Sequence, residues 1–264
     1  MPPTQQPVVM SMPAAPLRPY ISHYWLGLDN SDANYAIVPD GAVDVVLVIG
    51  AATCRVDAFG TATTRLGIQL ELGKHYLGIR FRPGQSRHFL DARTSDLTNA
   101  VHSAEGTFLP DLSGVAESIH LDSIFGYLDA ALGRHLQRRA PCASRIDDVI
   151  RYMEVANGPL RVSELAAMYC KSRRQFERTF LDVVGLSPKL FTEIVRFRRA
   201  SALLARSNLS LAQIAADIGY TDQSHFTHEF SRFFGLPPVR ARAHAAFLQD
   251  TNSYPENNTD SLNL

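Results

Sequence analysis

The 264-residue chain predicts an α+β protein of two domains: a β-rich N-terminal domain, then an all-α domain with two helix-turn-helix units joined by a long helix. Three features carry that expectation. First, a segment occurs twice about fifty residues apart, as Phe176-Glu-Arg-Thr-Phe180 with Gly185-Leu-Ser-Pro188 and as Phe226-Thr-His-Glu-Phe230 with Gly235-Leu-Pro-Pro238. Upstream of each copy lies a second matched piece, Val162-Ser-Glu-Leu165-Ala166-Ala167 and Leu211-Ala-Gln-Ile214-Ala215-Ala216. The repeating unit is therefore two short helices around a tight turn. Second, Pro188 to Leu204 runs between the copies without an internal breaker. Third, the chain from Tyr35 to Gly84 reads as strands.

Residues 1–19 hold six prolines and little periodicity, which reads as a loosely held arm. In the β-rich domain, taken as residues 20–138, Ala42 to Ile49 is dense in β-branched residues, and Tyr76 to Phe81 alternates. Pro39-Asp40-Gly41 and Pro83-Gly84 are turn signals. Beyond Gly84 the pattern becomes helical, with Ser86–Leu90, Leu97–Val101, Leu112–His120 and Ser123–Gln137 as the expected pieces. Residues 139–145, with Pro141 inside, form a linker. The second domain spans residues 146–246 and the tail 247–264, rich in Asn, Ser and Asp, reads as disordered.

Within the second domain, the first helix-turn-helix is expected over about 162–184 and the other over about 210–234. Leu211, Ile214, Ala215 and Ile218 share one helical face, Ser210 stands at the N-cap, and Gly219 closes the helix. Asp222 caps the next helix, whose Phe226, Phe230 and Phe233 or Phe234 make an apolar stripe ended by Gly235. The first copy reads alike: Val162, Leu165, Ala166 and Tyr169, then the cap Ser172, then Phe176, Phe180 and Val183 or Val184. The phenylalanines are core. Pro188 suits the first turn of the connecting helix, where Phe191, Ile194, Val195, Arg198, Ala202 and Leu203 fall at helical spacing. Roughly 17 residues at about 1.5 Å each give about 25 Å, a length that would hold two helices about one DNA turn apart.

Residues 146–246 resemble the DNA-binding domain of the AraC-type (arabinose-regulator) transcription factors. The run Ile214-Ala-Ala-Asp-Ile-Gly-Tyr-Thr-Asp-Gln-Ser-His-Phe226, continued by Phe230, Phe234, Gly235 and Pro237-Pro238, carries the likeness. The resemblance implies that the helices starting near Ser172 and Asp222 are recognition helices. Base edges would then be faced by Arg173, Arg174, Glu177 and Arg178 of the first and by Gln223, Ser224, His225 and His228 of the second. Arg174 and Arg178 lie one turn apart and suit bidentate pairing with guanine, whereas Gln223 suits adenine. Glu177 can accept from cytosine or order a neighbouring arginine. His228 stands where the family commonly has arginine. Lys171, Ser172, Arg196, Arg199, Thr221, Arg232 and Arg240 are the expected phosphate contacts, although Arg196, Arg198 and Arg199 read equally well as a solvated helix face.

The N-terminal part resembles a poorly characterised sensor-like domain found in a subset of these proteins, on His23-Tyr24-Trp25, Val38-Pro-Asp-Gly41 with Asp44, and Gly78-Ile-Arg-Phe-Arg-Pro-Gly84. That likeness implies an effector or oligomerisation domain. Trp25, Tyr35, Asp44, Arg80 and Arg82 are the residues expected to line an effector pocket. Arg80 and Arg82 share a face opposite Phe81 on an alternating strand, facing either a ligand or solvent.

Lys+Arg and Asp+Glu balance at 26 each, yet residues 144–246 hold 15 basic and 10 acidic side chains. Basic charge thus sits with the repeat, as a DNA-contacting module requires. Double-stranded DNA is the expected partner; a small-molecule effector, a second copy of the chain and RNA polymerase are further candidates. No stretch approaches about 20 apolar residues and no secretory pattern opens the chain, so a cytoplasmic protein without membrane contact is expected. The dispersed Cys54, Cys142 and Cys170 read as reduced thiols. The competing reading gives the DNA-binding protein a metal-dependent or alkyl-accepting enzymatic N-terminal domain. Against it, His23, His75, His88, His102 and His120 show no metal spacing, and Cys142 lacks a basic or metal-bound setting. No catalytic residue, metal or cofactor is expected.

Overall fold

The computed structural model describes residues 8–51, 53–112, 114–115, 121–141, 144–156 and 160–242. The start of the arm, His120, Cys142 and the 247–264 tail lie outside the described residues. The order is a β-rich N-terminal region followed by helices. Eight strands are described: β1 (Val8–Ser11), β2 (Ile21–Gly27), β3 (Asn34–Ile37), β4 (Asp44–Ile49), β5 (Cys54–Phe59), β6 (Leu66–Gln69), β7 (His75–Phe81) and β8 (Val101–Ser103). Six form an antiparallel sheet in the order β1-β2-β7-β4-β5-β8, and β3 pairs with β6 separately.

Side-chain alternation divides the six-stranded sheet into two faces. Tyr24, Leu26, Val45, Leu47, Ile49, Leu77, Ile79 and Phe81 join Phe89, Ile124, Leu128 and Leu132 in the larger core, so helix α1 (Leu121–Arg139) lies across that face. Asp129 of α1 accepts from the Tyr24 hydroxyl and from the Ala14 amide, both at 2.9 Å. On the opposite face Val46, Val48 and Tyr76 pack with Trp25, Phe59 and Leu70. Gly78 is required there: a Cβ on it would stand 1.9 Å from the Trp25 ring.

Several local expectations for this domain are corrected. Val8–Ser11, expected in the loose arm, pairs residue for residue with Gly27–Tyr24, and Leu17 is buried. The prolines flank this strand or sit in the 3-10 turn Ala15–Leu17, leaving β1 its donors. Ser86–Leu90 and Leu97–Val101 are not α-helices: the chain makes short 3-10 turns at Ser86–His88 and Thr94–Leu97, then β8, which pairs with Asp57–Phe59. Of the expected helix Leu112–His120, the described residues 112, 114 and 115 lie in no helix, and 113 and 116–120 lie outside the described residues. Pairing with distant strands decided these segments against their local periodicity.

The helical domain comprises α2 (Arg145–Val155), α3 (Val162–Met168), α4 (Arg173–Val184), α5 (Pro188–Arg206), α6 (Leu211–Ile218), α7 (Gln223–Phe234) and α8 (Pro238–Arg242). Helix starts follow side-chain caps. The hydroxyls of Ser172, Ser187 and Ser210 and the Asp222 carboxylate each accept the amide three residues on. Helix ends at Gly185, Gly219 and Gly235 take left-handed backbone with φ of 80°, 79° and 80°. Phe176, Phe180, Phe191, Phe197, Phe226, Phe230 and Phe233 are fully buried in one core with Leu165, Ile194 and Ile214. Both helix-turn-helix units pack on α5.

The two domains meet at α2, α4 and α5. Asp147 accepts the Ser144 amide at the start of α2 (3.2 Å), the Gln85 amide (2.8 Å) and the Arg87 guanidinium (2.8 and 2.9 Å). The Thr98 hydroxyl donates to the Gly185 carbonyl at 2.8 Å. Phe191 lies against Gly41, which has φ of 78° and where a Cβ would stand 2.6 Å from the ring, so there is no room for a side chain.

Gly185 and Gly219 separate backbone conformation from crowding. A Cβ on Gly219 would meet nothing within 4 Å, whereas one on Gly185 would stand 2.8 Å from the Thr94 carbonyl oxygen across the domain contact. Gly219→Ala is expected to cost about 1 kcal/mol through its left-handed φ. Gly185→Ala is expected to cost about 3 kcal/mol because backbone from the other domain must also shift. Urea unfolding of both variants checks this; equal losses would show that the close approach contributes nothing.

Candidate nucleic-acid interface

The exposed faces of α4 and α7 follow from what each helix buries. In α4, Phe176, Phe180 and Val184 turn inward, which leaves Arg173, Arg174 and Arg178 exposed. The α4 cap is reciprocal, with the Ser172 amide donating to Gln175 at 3.3 Å, so this helix start is held by its own sequence. Glu177 is half-buried and accepts from Arg173 at 2.9 Å. That pair occupies one side of the helix, and Arg174 and Arg178, four residues apart, present the guanidinium groups of the other.

In α7, burial of Phe226, Glu229, Phe230, Phe233 and Phe234 sets the outward face. Gln223, Ser224, Thr227, His228 and Ser231 line a shallow open groove of about 390 Å³ on it. His225 is exposed, with Nε2 3.8 Å from the Glu229 carboxylate. Lys171, Ser172, Thr221 and Arg240 are exposed at helix ends. Arg232 is exposed too, but it donates to Glu193 at 2.6 Å and lies 4.2 Å from the Phe233 ring.

Two of the expected phosphate contacts point elsewhere. Arg196 grips Glu229 in bidentate fashion, at 3.0 and 2.5 Å, and stacks 4.4 Å over the Tyr220 ring. Arg199 donates to the Ala156 and Glu154 carbonyls, and its surroundings hold its pKa below the ordinary value through burial and then the charge of Arg198. Both arginines turn to partners within the domain because α5 is its central helix, in contact with α2, α4, α6, α7 and α8. Burial, followed by the charge and hydrogen bond of Glu229, pushes the Tyr220 hydroxyl well above the ordinary phenol range. Glu229 is not among the residues singled out by the sequence, although a carboxylate three residues after Phe226 inside an apolar stripe is a readable signal.

Residues 165–244 match the family Helix-turn-helix domain, and residues 10–103 match a Domain of unknown function, DUF6597. The C-terminal region is a helix-turn-helix domain of the AraC type. It is 30% identical over 95 residues to the HTH-type transcriptional regulator GbdR of Pseudomonas aeruginosa, covering 36% of this chain and 26% of that protein. The HTH-type transcriptional regulator ArgR of the same organism is 34% identical over 84 residues, or 32% of this chain and 26% of that protein. The chain thus spans about a quarter of the length of these curated relatives. A solved transcriptional regulator from Chromobacterium violaceum, one of the AraC-type DNA-binding domain-containing proteins, is 31% identical over a match that covers 39% of this chain and 92% of that one, with a TM-score of 0.36.

The domain ahead of the AraC-type unit holds a polar cluster in its sheet. Trp25 Nε1 donates to Asp44 at 3.3 Å, and Arg80 pairs with Asp44 at 2.9 Å and with Asp40. Of the residues expected around an effector, Trp25, Asp44 and Arg80 therefore bind one another. Tyr35 is exposed on β3, and Arg82 donates to the Arg18 carbonyl at 2.7 Å, so the five do not line one cavity. An apolar cleft of about 310 Å³, which the sequence did not suggest, lies between β4, β5 and the segment 104–112 with Gly114, lined by Leu47, Cys54, Val56, Phe108 and Leu112 among others. No helix among the described residues is long and apolar enough to cross a membrane.

His23 neighbours this cluster, opposite Arg80 in the β2–β7 register, with its Nδ1 3.1 Å from the Ser22 hydroxyl. Burial, then the charges of Arg80 and Arg82, hold its pKa at about 3 against an ordinary 6.5. The unfolded chain therefore takes up a proton below pH 6.5 that the folded chain refuses until about pH 3. His23 contributes stability that is present above pH 6.5 and lost as the pH falls, by up to about 1.4 kcal/mol per unit. His23→Gln should flatten the fall in urea midpoint between about pH 7 and pH 5. Parallel curves for variant and wild type would contradict this.

Proposed function

We propose that this chain is a sequence-specific DNA-binding transcription regulator whose two recognition helices, α4 and α7, enter successive major grooves of one duplex. The observation that carries the reading is the exposed pair Arg174 and Arg178 on a helix capped at Ser172, repeated in geometry by the polar face of α7. Arginines one turn apart on a helix can read guanine edges in the major groove. Arg173 and Glu177 serve as a pair that sets the charge beside them. Gln223, Ser224, His225 and His228 supply a polar readout without arginine, in which Gln223 suits adenine.

Lys171, Ser172, Thr221 and Arg240 position the duplex through phosphates, and Arg232 joins them if its bond to Glu193 opens. The N-terminal domain modulates this activity through a ligand or through a second copy of the chain, and RNA polymerase is the downstream partner. Such a protein works in the cytoplasm.

Selection from a randomised duplex library should recover a site with two blocks about one helical turn apart, and footprinting should protect both. Arg174→Ala with Arg178→Ala should lose discrimination at one block, each lost bidentate contact being worth about 1–3 kcal/mol. Arg240→Ala should instead weaken all sequences alike and reduce the dependence on salt by about one charge. Full discrimination in the double arginine variant would remove α4 from the reading.

A further inference from the structure

The least expected group in the helical domain is a carboxylate inside the second recognition helix. Glu229 is 6% exposed and accepts three charge-assisted or hydroxyl bonds: Arg196 Nε at 3.0 Å, Arg196 Nη2 at 2.5 Å and the Tyr220 hydroxyl at 2.8 Å. The partners come from different elements. Arg196 belongs to α5, Tyr220 to the turn between α6 and α7, and the guanidinium lies 4.4 Å over the Tyr220 ring. The corresponding position in the first copy is Thr179, so only α7 is held in this way.

Apolar packing is non-directional and leaves a helix some freedom to roll about its axis. A planar fork closed on a carboxylate does not, because both bonds must stay short and coplanar. Readout of bases needs that restriction. Side-chain tips lie about 6 Å from a helix axis, so a roll of about 20° moves them about 2 Å, more than a hydrogen bond tolerates. Gln223, Ser224 and His228 are all short of charge and depend on directional bonds, whereas the arginines of α4 reach further and attract phosphate or base without fine placement.

We infer that Glu229, clamped by Arg196 and Tyr220, is the positioning residue that fixes the roll of α7 and thereby the base preference of the second half-site. It touches no DNA itself. This inference rests on the DNA-binding reading above. It also assigns Arg196 to the interior clamp and not to phosphate.

The test uses the full chain and the site that the wild type selects from a randomised duplex library. Arg196→Lys keeps the charge opposite Glu229 and loses the fork. The variant is expected to melt within a few degrees of wild type and to respond to single base-pair changes in the α7 block by less than about twofold, where the wild type responds by about tenfold or more. Changes in the α4 block should still weaken it about tenfold. Arg196→Met with Glu229→Met, which replaces the pair by apolar side chains of similar length, should give the same block-selective loss if the lysine variant does not fold. Intact discrimination at both blocks would overturn the inference. So would an even loss of affinity for all sequences, which marks a phosphate contact, or a loss at both blocks that tracks a lowered melting temperature, which marks a merely structural pair. A wild type that selects no site at all would defeat the DNA-binding reading and this inference with it, and is told apart because it precedes any substitution.

Discussion

The packing of both helix-turn-helix units on α5 is the constraint on which the helical domain depends. Phe191 near its start meets Phe180 of α4 edge to face at 5.5 Å, and Phe197 meets Phe230 and Phe233 of α7 at 5.2 and 5.3 Å. Six residues of helix, about 9 Å, separate these two anchor points. The aromatic pairs add directional preference to the burial of large rings, so the spacing of α4 and α7 is set by one rigid element and not by the loops between them. No polar side chain could replace these rings, since each is fully enclosed.

The N-terminal domain touches that same element. Gly41 admits the Phe191 ring, Arg198 of α5 reaches toward the Asp40 carbonyl at 3.5 Å, and Val38 belongs to the helical core. Asp147 serves both domains with one carboxylate, closing the first turn of α2 and holding Arg87 and Gln85 of the preceding domain. Half-buried and charge-assisted, these bonds are stronger than surface ion pairs, whose median contribution is about 0–1 kcal/mol. The exit of α4 is bound too, through Thr98 and the Gly185 carbonyl. Separating the sheet domain from α2, α4 and α5 breaks all of these together. The second unit has a lighter tie, Arg65 stacked 6.0 Å from the Phe234 ring.

How much of this was legible depends on the range of the interaction. Caps at Ser172, Ser210 and Asp222, the glycine stops and the phenylalanine stripes involve residues within one helical turn, and these were readable in the sequence. The strands β1 and β8 were not, because three or four residues become a strand only when a partner far along the chain offers its edge. Arg196 and Arg199 show the same limit for side chains. A basic helix face looks alike whether it meets phosphate or, as here, a carboxylate 33 residues away and carbonyls at the end of another helix. The turn of the first copy was hidden for a different reason: Cys170 adopts φ 58° where the second copy has Gly219, so the left-handed turn is made without the residue that usually signals it.

The two copies therefore share a scaffold and differ in how strictly each recognition helix is held. In α4 the outward residues carry the charge, and the inward ones are apolar apart from Thr179. In α7 the pattern differs: before Arg232 the outward face carries no Lys, Arg, Asp or Glu, and a carboxylate lies underneath, at Glu229. Burying an ion pair yields little net stability, since desolvation offsets most of the attraction, and an apolar pair of the same volume would serve the core as well. What an apolar pair cannot supply is a fixed direction. A neutral, short-chained face that recognises by hydrogen bonds gains from such direction, whereas a face of long cationic side chains does not, and the chain places its buried charge under the face that gains.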